Sequence, residues 1–283
     1  MASLTEGEIW GEITEAGYER LLERKGVVRT KRGTMMNLAK SKEDKEKGED
    51  ELPPQEFAFF AMSKETVGRF CRGFADMNPL YHKEKYAAKS PWGRIIAPPA
   101  AICYAETVNG ATDGFPGCHT IWRGVDYDWV RPMFADEVVK SQTFLEDVEL
   151  IHDSKFAGGK AAVQNYATKI YSLQDEYIGA YRTSWHRFSR SGAKKESKYG
   201  DIERHIWTDE ELEGVWAEYH NQNLKNRRGK EPLYFEDVEE GTEVPYIIKG
   251  PVTLTSKIAF EMAFGAFGWF VGHELAQIGR AHV

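Results

Sequence analysis

The sequence predicts an α+β fold in which an antiparallel sheet wraps around one long buried helix. The first observation behind this prediction is a mostly apolar segment, residues 95–108, in which Pro98-Pro99 stand where a helix would begin. The second is a series of segments rich in β-branched and aromatic residues, separated by breakers such as Gly158-Gly159. These predicted strands cover residues 120–130, 137–151, 160–172 and 177–188. A helix followed by an antiparallel meander is the element order of a sheet built around one helix.

Length, composition and charge describe a globular chain that is long enough for two domains. It has 283 residues, of which 41% are hydrophobic and 29% are charged. The net charge of -7 offers no general attraction for a phosphate backbone, so nucleic acid is not an expected partner. Cys71, Cys103 and Cys118 lack the spacing of disulfide frameworks or metal sites. Neither a signal peptide nor an apolar stretch of roughly 20 residues is present, so we expect a cytoplasmic protein with no membrane partner.

The elements before the buried helix follow from local signals. In chain order they are a helix over residues 13–25, a charged loop over 40–51, a strand over 56–62 and a short helix over 81–89. Ser63 is predicted to cap a further helix whose apolar face is formed by Val67, Phe70, Cys71 and Phe74. On the later strands, the core is predicted to contain Trp122, Trp129 and Trp185.

A second unit is predicted after a polar, basic linker. Thr208 and Glu211 have the spacing of a capping box and predict the start of a helix. Thr255 is predicted to cap another helix, which runs through Ile258, Phe260 and Met262. Between these two helices, strands are predicted over residues 234–238 and 244–246.

The predicted domain organisation has four parts. Residues 1–190 form a first domain, 191–232 a linker that contains a helix, 233–277 the beginning of a second domain, and 278–283 an artefact. These last residues match what a sequencing-library adapter would encode, so we expect them to be a read-through artefact and the natural protein to continue past about Gln277.

The segment Asp76-Met77-Asn78-Pro79-Leu80-Tyr81-His82, with Gly93-Arg94-Ile95-Ile96-Ala97 behind it, carries the residues best suited to chemistry. A carboxylate and an imidazole can each hold and move a proton, and an amide can position one of them. The same Asp and Asn can instead cap and turn the chain between two helices, and this alternative stays open. The segment resembles the hydratase signature of the MaoC-like acyl-thioester dehydratases. That family includes the R-specific enoyl-CoA hydratases and has the hot-dog fold.

The resemblance covers about residues 56–190 and includes Arg131-Pro132. A second match, over residues 207–250, resembles two-domain members whose N-terminal domain is of the fatty-acid-synthase dehydratase type. The resemblance implies a double hot-dog protein, truncated in its second copy, that hydrates or dehydrates a 3-hydroxyacyl or trans-2-enoyl thioester reversibly. It also implies a CoA or acyl-carrier thioester as substrate, no cofactor, and a homodimer or higher oligomer of the full-length chain.

The resemblance further implies which residues form the site. The candidate catalytic residues are Asp76, Asn78, Tyr81 and His82, and no metal is expected. The candidate substrate-binding residues are Tyr86, Arg94, Ile96, Ala97, Pro98 and Pro99. A cationic cluster either meets the phosphates of a CoA or carrier-protein arm or forms a solvated helix face; it consists of Lys83, Lys85, Lys89 and Arg94.

Two positions depart from the family pattern. Tyr81 stands where the family has its catalytic His, and His82 follows one residue later, about 100° further round a helix. Pro98-Pro99 replaces the family's His-Gly, and proline has no N–H to donate to an oxyanion. We therefore expect the catalytic His and the donor Gly in the missing half, with this half shaping an acyl tunnel. Two alternatives are a non-catalytic acyl-thioester-binding module and a hot-dog thioesterase.

Overall fold

The structure of the chain is a computed structural model that describes residues 6–29, 57–105, 114–189, 205–226 and 231–264, with residues 4, 203, 228 and 229. The predicted loop 40–51, residues 106–108 of the predicted buried helix and the segment 278–283 lie outside the described residues. The chain divides into two compact units, one consisting of Met1–Ser197 with Phe260–Val283 and the other of Lys198–Ala259.

Six antiparallel strands form one sheet in the first unit. The strands are β1 (Val28–Arg29), β2 (Ala58–Met62), β3 (His119–Trp129), β4 (Glu137–Ser154), β5 (Gly159–Ser172) and β6 (Tyr177–Phe188). Their order across the sheet is β1-β4-β5-β6-β3, and β2 pairs with the first residues of β4. The four strands predicted after the buried helix are confirmed as β3 to β6, and the strand predicted before Ser63 is confirmed as β2.

Short helices surround the sheet in the first unit: α1 (Glu15–Glu23), α2 (Lys64–Phe74), α3 (Pro79–His82) and α4 (Glu84–Ala87). Ser63 caps α2 as predicted, because its Oγ accepts a hydrogen bond of 3.0 Å from the Thr66 N–H. The predicted apolar face of α2 is confirmed by the burial of Val67, Phe70 and Cys71. The single helix predicted over 81–89 is wrong, since the extended backbone of Lys83 separates α3 from α4.

The predicted buried helix is confirmed in its burial but not in its start or type. It is a 3₁₀ helix over Pro99–Ala105, and Ala101 to Ala105 are buried. Ile96, predicted to be helical, instead forms a β-bridge with Phe134. The cause is the Pro98-Pro99 pair, which removes two N–H donors and holds the preceding residues in extended conformations.

The apolar face of the sheet packs on these helices. The larger core cluster joins α2 and the 3₁₀ helix to the strands, and its members include Val67, Phe70, Cys71, Ala97, Ile102, Val139, Ile170 and Tyr181. A second cluster joins α1 to the sheet and includes Leu21, Phe115, Leu145 and Tyr166. The first unit is therefore a hot-dog-like α+β fold, in which an antiparallel sheet is packed around helical segments.

The prediction that Trp122 and Trp129 lie in the core is wrong. These side chains are 46% and 47% exposed, respectively. Both belong to β3, which stands at the end of the strand order, so one side of the strand has no neighbour among the described residues. Trp185, on the adjacent strand, is partly buried and packs against the second core cluster.

The second unit contains α5 (Asp209–Lys225), a 3₁₀ turn (Phe235–Asp237) and the first part of α6 (Leu254–Phe264). The predicted capping box is confirmed, because the Glu211 N–H donates to Thr208 Oγ1 at 3.3 Å and the Thr208 N–H donates to Glu211 Oε2 at 2.8 Å. The predicted cap of α6 is wrong by two residues: Thr253, not Thr255, accepts a hydrogen bond from the Ser256 N–H.

The strands predicted over 234–238 and 244–246 are also wrong. The first region is the 3₁₀ turn and the second has no regular structure. A strand requires a neighbour for its backbone hydrogen bonds, and neither region pairs with a strand in the described part of the chain. None of the described helices is long and apolar enough to cross a membrane.

Candidate active site

The segment that carries the candidate catalytic residues is held by consecutive backbone turns. Helix α2 ends because Ala75 adopts a left-handed conformation, with φ of 52°. Asp76 Oδ1 then accepts a hydrogen bond of 3.0 Å from the Asn78 N–H. Asn78 Oδ1 in turn accepts one of 3.1 Å from the Leu80 N–H and so caps α3. Asp76 and Asn78 therefore hold the turn between α2 and α3, which is the structural role that their side chains can have without any part in catalysis.

His82 returns to this turn through its side chain. Its Nε2 lies 2.7 Å from the backbone carbonyl oxygen of Asp76. Because a carbonyl oxygen can only accept, Nε2 must carry the proton, which leaves Nδ1 as the acceptor of the neutral ring. The imidazole is thus tied to Asp76 in spite of the one-residue offset, and its tautomer is fixed by the backbone.

Tyr81 is a hydrogen-bond donor in this site rather than a base. The side chain is partly buried and packs against the core cluster that also contains Ala97. Burial, followed by electrostatic interaction with the Asp76 carboxylate and then with Cys71, raises the pKa of Tyr81 to about 12, although a hydrogen bond with Asn78 acts in the opposite direction. The phenol is therefore protonated at neutral pH.

Cys71 lies beside the same carboxylate but is not a nucleophile. Its side chain is buried, and burial followed by the charge of Asp76 raises the pKa of the thiol to about 12. Catalysis by a thiolate at this position is therefore not expected.

The candidate substrate-binding residues at the start of the 3₁₀ helix are fixed against a neighbouring loop. The Ala97 N–H donates to the Met133 carbonyl at 2.8 Å, and the Ala135 N–H donates to the Ile95 carbonyl at 3.0 Å. Ile96, Ala97 and Pro98 are buried, whereas Pro99 is exposed. The Ala101 N–H donates a hydrogen bond of 2.9 Å to the Pro98 carbonyl. Because Pro99 has no N–H, Ala100 carries the one N–H of this first turn that remains for another acceptor.

Two positioning residues support this turn. The Trp129 indole N–H donates to the Pro99 carbonyl at 3.1 Å. Arg131 forms two hydrogen bonds with Glu137, of 2.7 and 3.1 Å, and the Phe134 N–H donates to the same carboxylate at 2.9 Å. The sequence indicated Arg131 only as part of an Arg-Pro pair and gave no signal for the role of Trp129.

Tyr86 and Arg94 are both exposed on the surface of the first unit. Tyr86 is exposed, and its N–H completes the first turn of α4. Arg94 donates from Nη2 to the Ala135 carbonyl at 2.7 Å, and its guanidinium carbon is 5.0 Å from the centre of the Phe134 ring. The structure thus brings the four candidate catalytic residues into one turn, and Tyr81 and Ala97 into one core cluster.

Comparison with protein families finds one model that matches the part of the chain containing this turn. Residues 59–178 match the model described as "FAS1-like, dehydratase domain region". The matched range contains β2 to β5, the candidate catalytic turn and the 3₁₀ helix of this region. A comparison with curated proteins found no match.

Three solved structures are similar to the chain at low identity. The R-hydratase PhaJ1 from Pseudomonas aeruginosa is 14% identical over 57% of this chain and 95% of its own, with a TM-score of 0.35. A MaoC-like dehydratase from Rhodospirillum rubrum is 18% identical over 47% of this chain and 89% of its own, with a TM-score of 0.36. The ChsH1-ChsH2 complex from Mycobacterium tuberculosis is 18% identical over 47% of this chain and 82% of the matched chain, with a TM-score of 0.37.

Proposed function

We propose that the protein catalyses the reversible hydration of a trans-2-enoyl thioester to a 3-hydroxyacyl thioester. The observation that carries this proposal is the turn that joins Asp76, Asn78, Tyr81 and His82 inside a FAS1-like dehydratase domain region. The turn supplies a carboxylate, an imidazole of fixed tautomer and a protonated phenol within seven residues of chain. Each of these groups can hold a proton or direct a hydrogen bond.

The reaction requires a base and an acid on either side of one water molecule. In hydration, a base removes a proton from water, the hydroxyl oxygen bonds to C3 of the enoyl group, and C2 receives a proton. His82 Nδ1 and the Asp76 carboxylate are the groups proposed for proton transfer. Tyr81 and Asn78 are proposed to orient the water or the substrate, since a phenol with a pKa of about 12 donates a hydrogen bond but does not accept a proton.

The test is the hydration of crotonyl-CoA, followed by loss of the enoyl-thioester absorbance. Asp76→Asn keeps an oxygen that can accept the Asn78 N–H, so the turn is retained while the carboxylate is lost. We expect a loss of activity of about 100-fold or more in Asp76→Asn and in His82→Gln. Asp153→Asn, which removes an exposed carboxylate from β4, is the control and should retain full activity. Wild-type rates in both site variants would refute the proposal.

We also propose that the chain contains one complete hot-dog domain and the beginning of a second. One support is α6, a capped helix that comes late in the chain and corresponds in its order to α2, which comes early. The other support is the similarity of residues 207–250 to two-domain members. The downstream coding sequence provides the test, because it should encode the rest of the second domain, with the His-Gly pair that supplies the oxyanion donor which Pro98-Pro99 cannot. A full-length chain should then hydrate crotonyl-CoA, and residues 1–277 alone should be nearly inactive. Full activity of the shorter chain would contradict this division.

A second candidate function is acyl-thioester binding without turnover. It is favoured by Pro98-Pro99, because these residues have no N–H and leave Ala100 with the one available N–H of the turn. A single donor can hold a thioester oxygen but stabilises a developing charge on it less well than two donors. Equilibrium dialysis with crotonyl-CoA, run beside the hydration assay on the full-length protein, separates the two functions. Binding without hydration would select this candidate, and release of free CoA from a saturated acyl-CoA would instead select thioesterase activity.

A further inference from the structure

A cavity of about 490 Å³ opens on the face of the sheet that is opposite to the larger core cluster. Along β6, the buried Tyr181 belongs to that cluster, whereas its neighbour Arg182 is partly buried and lines the cavity. Because successive side chains of a strand point to opposite faces, Arg182 and Ser184 lie on the outer face of the sheet. Tyr81 and Ala97 pack with Tyr181 in the core cluster, so the cavity is separate from the candidate active site.

The floor of the cavity is a row of small residues that crosses three strands. In the register of the sheet, Asn165 of β5 pairs with Ser184 of β6, and Ser184 also pairs with Gly124 of β3. Directly paired residues share one face of a sheet, and adjacent strands lie about 4.8 Å apart, so the row is about 10 Å long. A side chain added at Gly124 would meet nothing within 4 Å, so the space above this end of the row is open. The row therefore forms the bottom of a trough across the sheet.

Two β-bulges add longer side chains to the walls of the cavity. The register of the sheet shifts at Arg123 of β3 and at Glu146 of β4, where each strand has one residue more than its partner. Both of these residues line the cavity. Burial, followed by the positive charge of Arg123, lowers the pKa of His186, which is the next residue of β6 on the same face as Ser184. The bulges therefore direct a guanidinium and a carboxylate to the trough.

Some of the charged groups at the cavity already have partners. Arg182 forms ion pairs with Asp128 and Glu146, and Asp147 forms one of 2.7 Å with Lys25. These pairs fix the side chains at one end of the trough, and they leave no strong excess of either charge there.

Four polar side chains of the cavity have neither an ion pair nor a hydrogen bond in the described part of the chain. They are Arg123, Asp126, Asn165 and Ser184. Arg123 and Asp126 are exposed and carry opposite charges, but they do not form an ion pair with each other. The cavity thus offers a guanidinium to an anion, a carboxylate to a cation, and an amide and a hydroxyl to further polar groups. An apolar ligand would leave all four of them unpaired.

We propose that this cavity binds a small zwitterion of the dipeptide class, whose carboxylate pairs with Arg123 and whose ammonium group pairs with Asp126. The ligand's amide lies between its two charges, where the Asn165 amide and the Ser184 hydroxyl can bond to it. Arg123 and Asp126 are three residues apart on one strand, so they suit charges at the two ends of a peptide unit better than charges on one carbon atom. The inference does not depend on the proposed hydration, and its test uses no thioester.

The first experiment is isothermal titration calorimetry of glycylglycine with the whole chain. We expect binding that weakens about tenfold or more in Arg123→Gln and in Asp126→Asn, and that also weakens as salt is raised. Because both side chains are exposed, these variants should unfold at the urea concentration of the wild type. Asp153→Asn removes an exposed carboxylate of β4 that does not line the cavity, and it should bind as the wild type does. Absence of binding to the wild type, unchanged affinity in either site variant, or an equal loss in Asp153→Asn would overturn the proposal.

The second experiment tests the ligand class with probes that carry one charge. Acetylglycine keeps the amide and the carboxylate of glycylglycine but lacks its ammonium group, and glycinamide keeps the amide and the ammonium group but lacks the carboxylate. We expect each to bind about tenfold more weakly than glycylglycine, or weaker still. Equal affinity for either probe would overturn the assignment of a zwitterion.

The third experiment tests the position of the ligand by filling the trough. Gly124→Phe places a ring in the open space above the floor and should abolish the binding of glycylglycine, while urea unfolding reports whether the fold is retained. Wild-type affinity in the folded variant would place the ligand elsewhere and overturn the proposal. If Gly124→Phe does not fold, Arg123→Gln and Asp126→Asn decide the question, since they alter exposed side chains alone.

Discussion

Gly179 provides a sharp test of the packing between β6, β3 and the 3₁₀ helix. It lies opposite Trp129 in the β3–β6 pair. A methyl group added at Gly179 would lie well inside van der Waals distance of the Asp128 carbonyl oxygen and 3.3 Å from Ile102 Cδ1. The Asp128 carbonyl oxygen belongs to the backbone and cannot rotate away as a side chain can. Gly179→Ala must therefore separate the two strands or distort β6.

The expected cost is about 3 kcal/mol of unfolding free energy, at the upper end of the range for overpacked cores. Gly124→Ala is the matched control, because Gly124 is in the same strand pair and a methyl group there meets nothing within 4 Å. Both variants lower the entropy of the unfolded chain by a similar amount, about 0.4–1 kcal/mol, so this effect cancels in the comparison.

Urea unfolding followed by circular dichroism measures both free energies. Gly124→Ala should be neutral or slightly stabilised, and Gly179→Ala should unfold at a clearly lower urea concentration with an unchanged slope. Equal midpoints for the two variants would refute the close approach of β3 to β6 at this position. They would also contradict the proposal that pairing with β6 holds Trp129 where its indole N–H donates to the Pro99 carbonyl.

Three further predictions concern stability. Ser63→Ala should lower the unfolding free energy by about 1 kcal/mol through loss of the α2 cap, measured by urea unfolding. Arg131→Met should cost about 2 kcal/mol because it leaves the Glu137 carboxylate, 15% exposed, without its cation; adding Glu137→Gln to that variant should recover part of the loss. The native state retains the Tyr81 proton up to a pKa of about 12 against an ordinary 10.0, so stability should fall as pH rises through this interval. Tyr81→Phe should flatten that fall, and an unchanged pH profile would contradict the burial of the phenol.

The parts of the fold that follow from local signals were predictable. Strands β3 to β6 have long runs of β-branched and aromatic residues, and Ser63 and Thr208 have the side chains and spacing that start helices. The strands predicted at 234–238 and 244–246 had similar composition, but composition cannot provide a hydrogen-bonding neighbour. Trp122 and Trp129 were assigned to the core because the sequence does not reveal that β3 lies at the edge of the sheet.

The contacts within the candidate site were not predictable from the sequence. The motif predicted that Asp76 and His82 belong together, whereas the helical spacing predicted that the imidazole points elsewhere. The structure resolves the difference because the ring contacts the Asp76 carbonyl rather than its carboxylate. The pairing of Ile96 with Phe134 was not predictable, since it joins residues that are distant in sequence and replaces the first turn expected of the helix.

The candidate catalytic turn and the start of the 3₁₀ helix meet the requirements of the proposed hydration to different degrees. Asp76, Tyr81 and His82 carry groups that can transfer or direct protons, so the turn meets one requirement of the proposed hydration. The second requirement is stabilisation of charge on the thioester oxygen, which is usually met by more than one preorganised donor. Pro98-Pro99 leave only the Ala100 N–H in that first turn, and the Trp129 indole N–H is already used by Pro99. For the proposed hydration, further donors to the thioester oxygen must therefore come from outside this first turn.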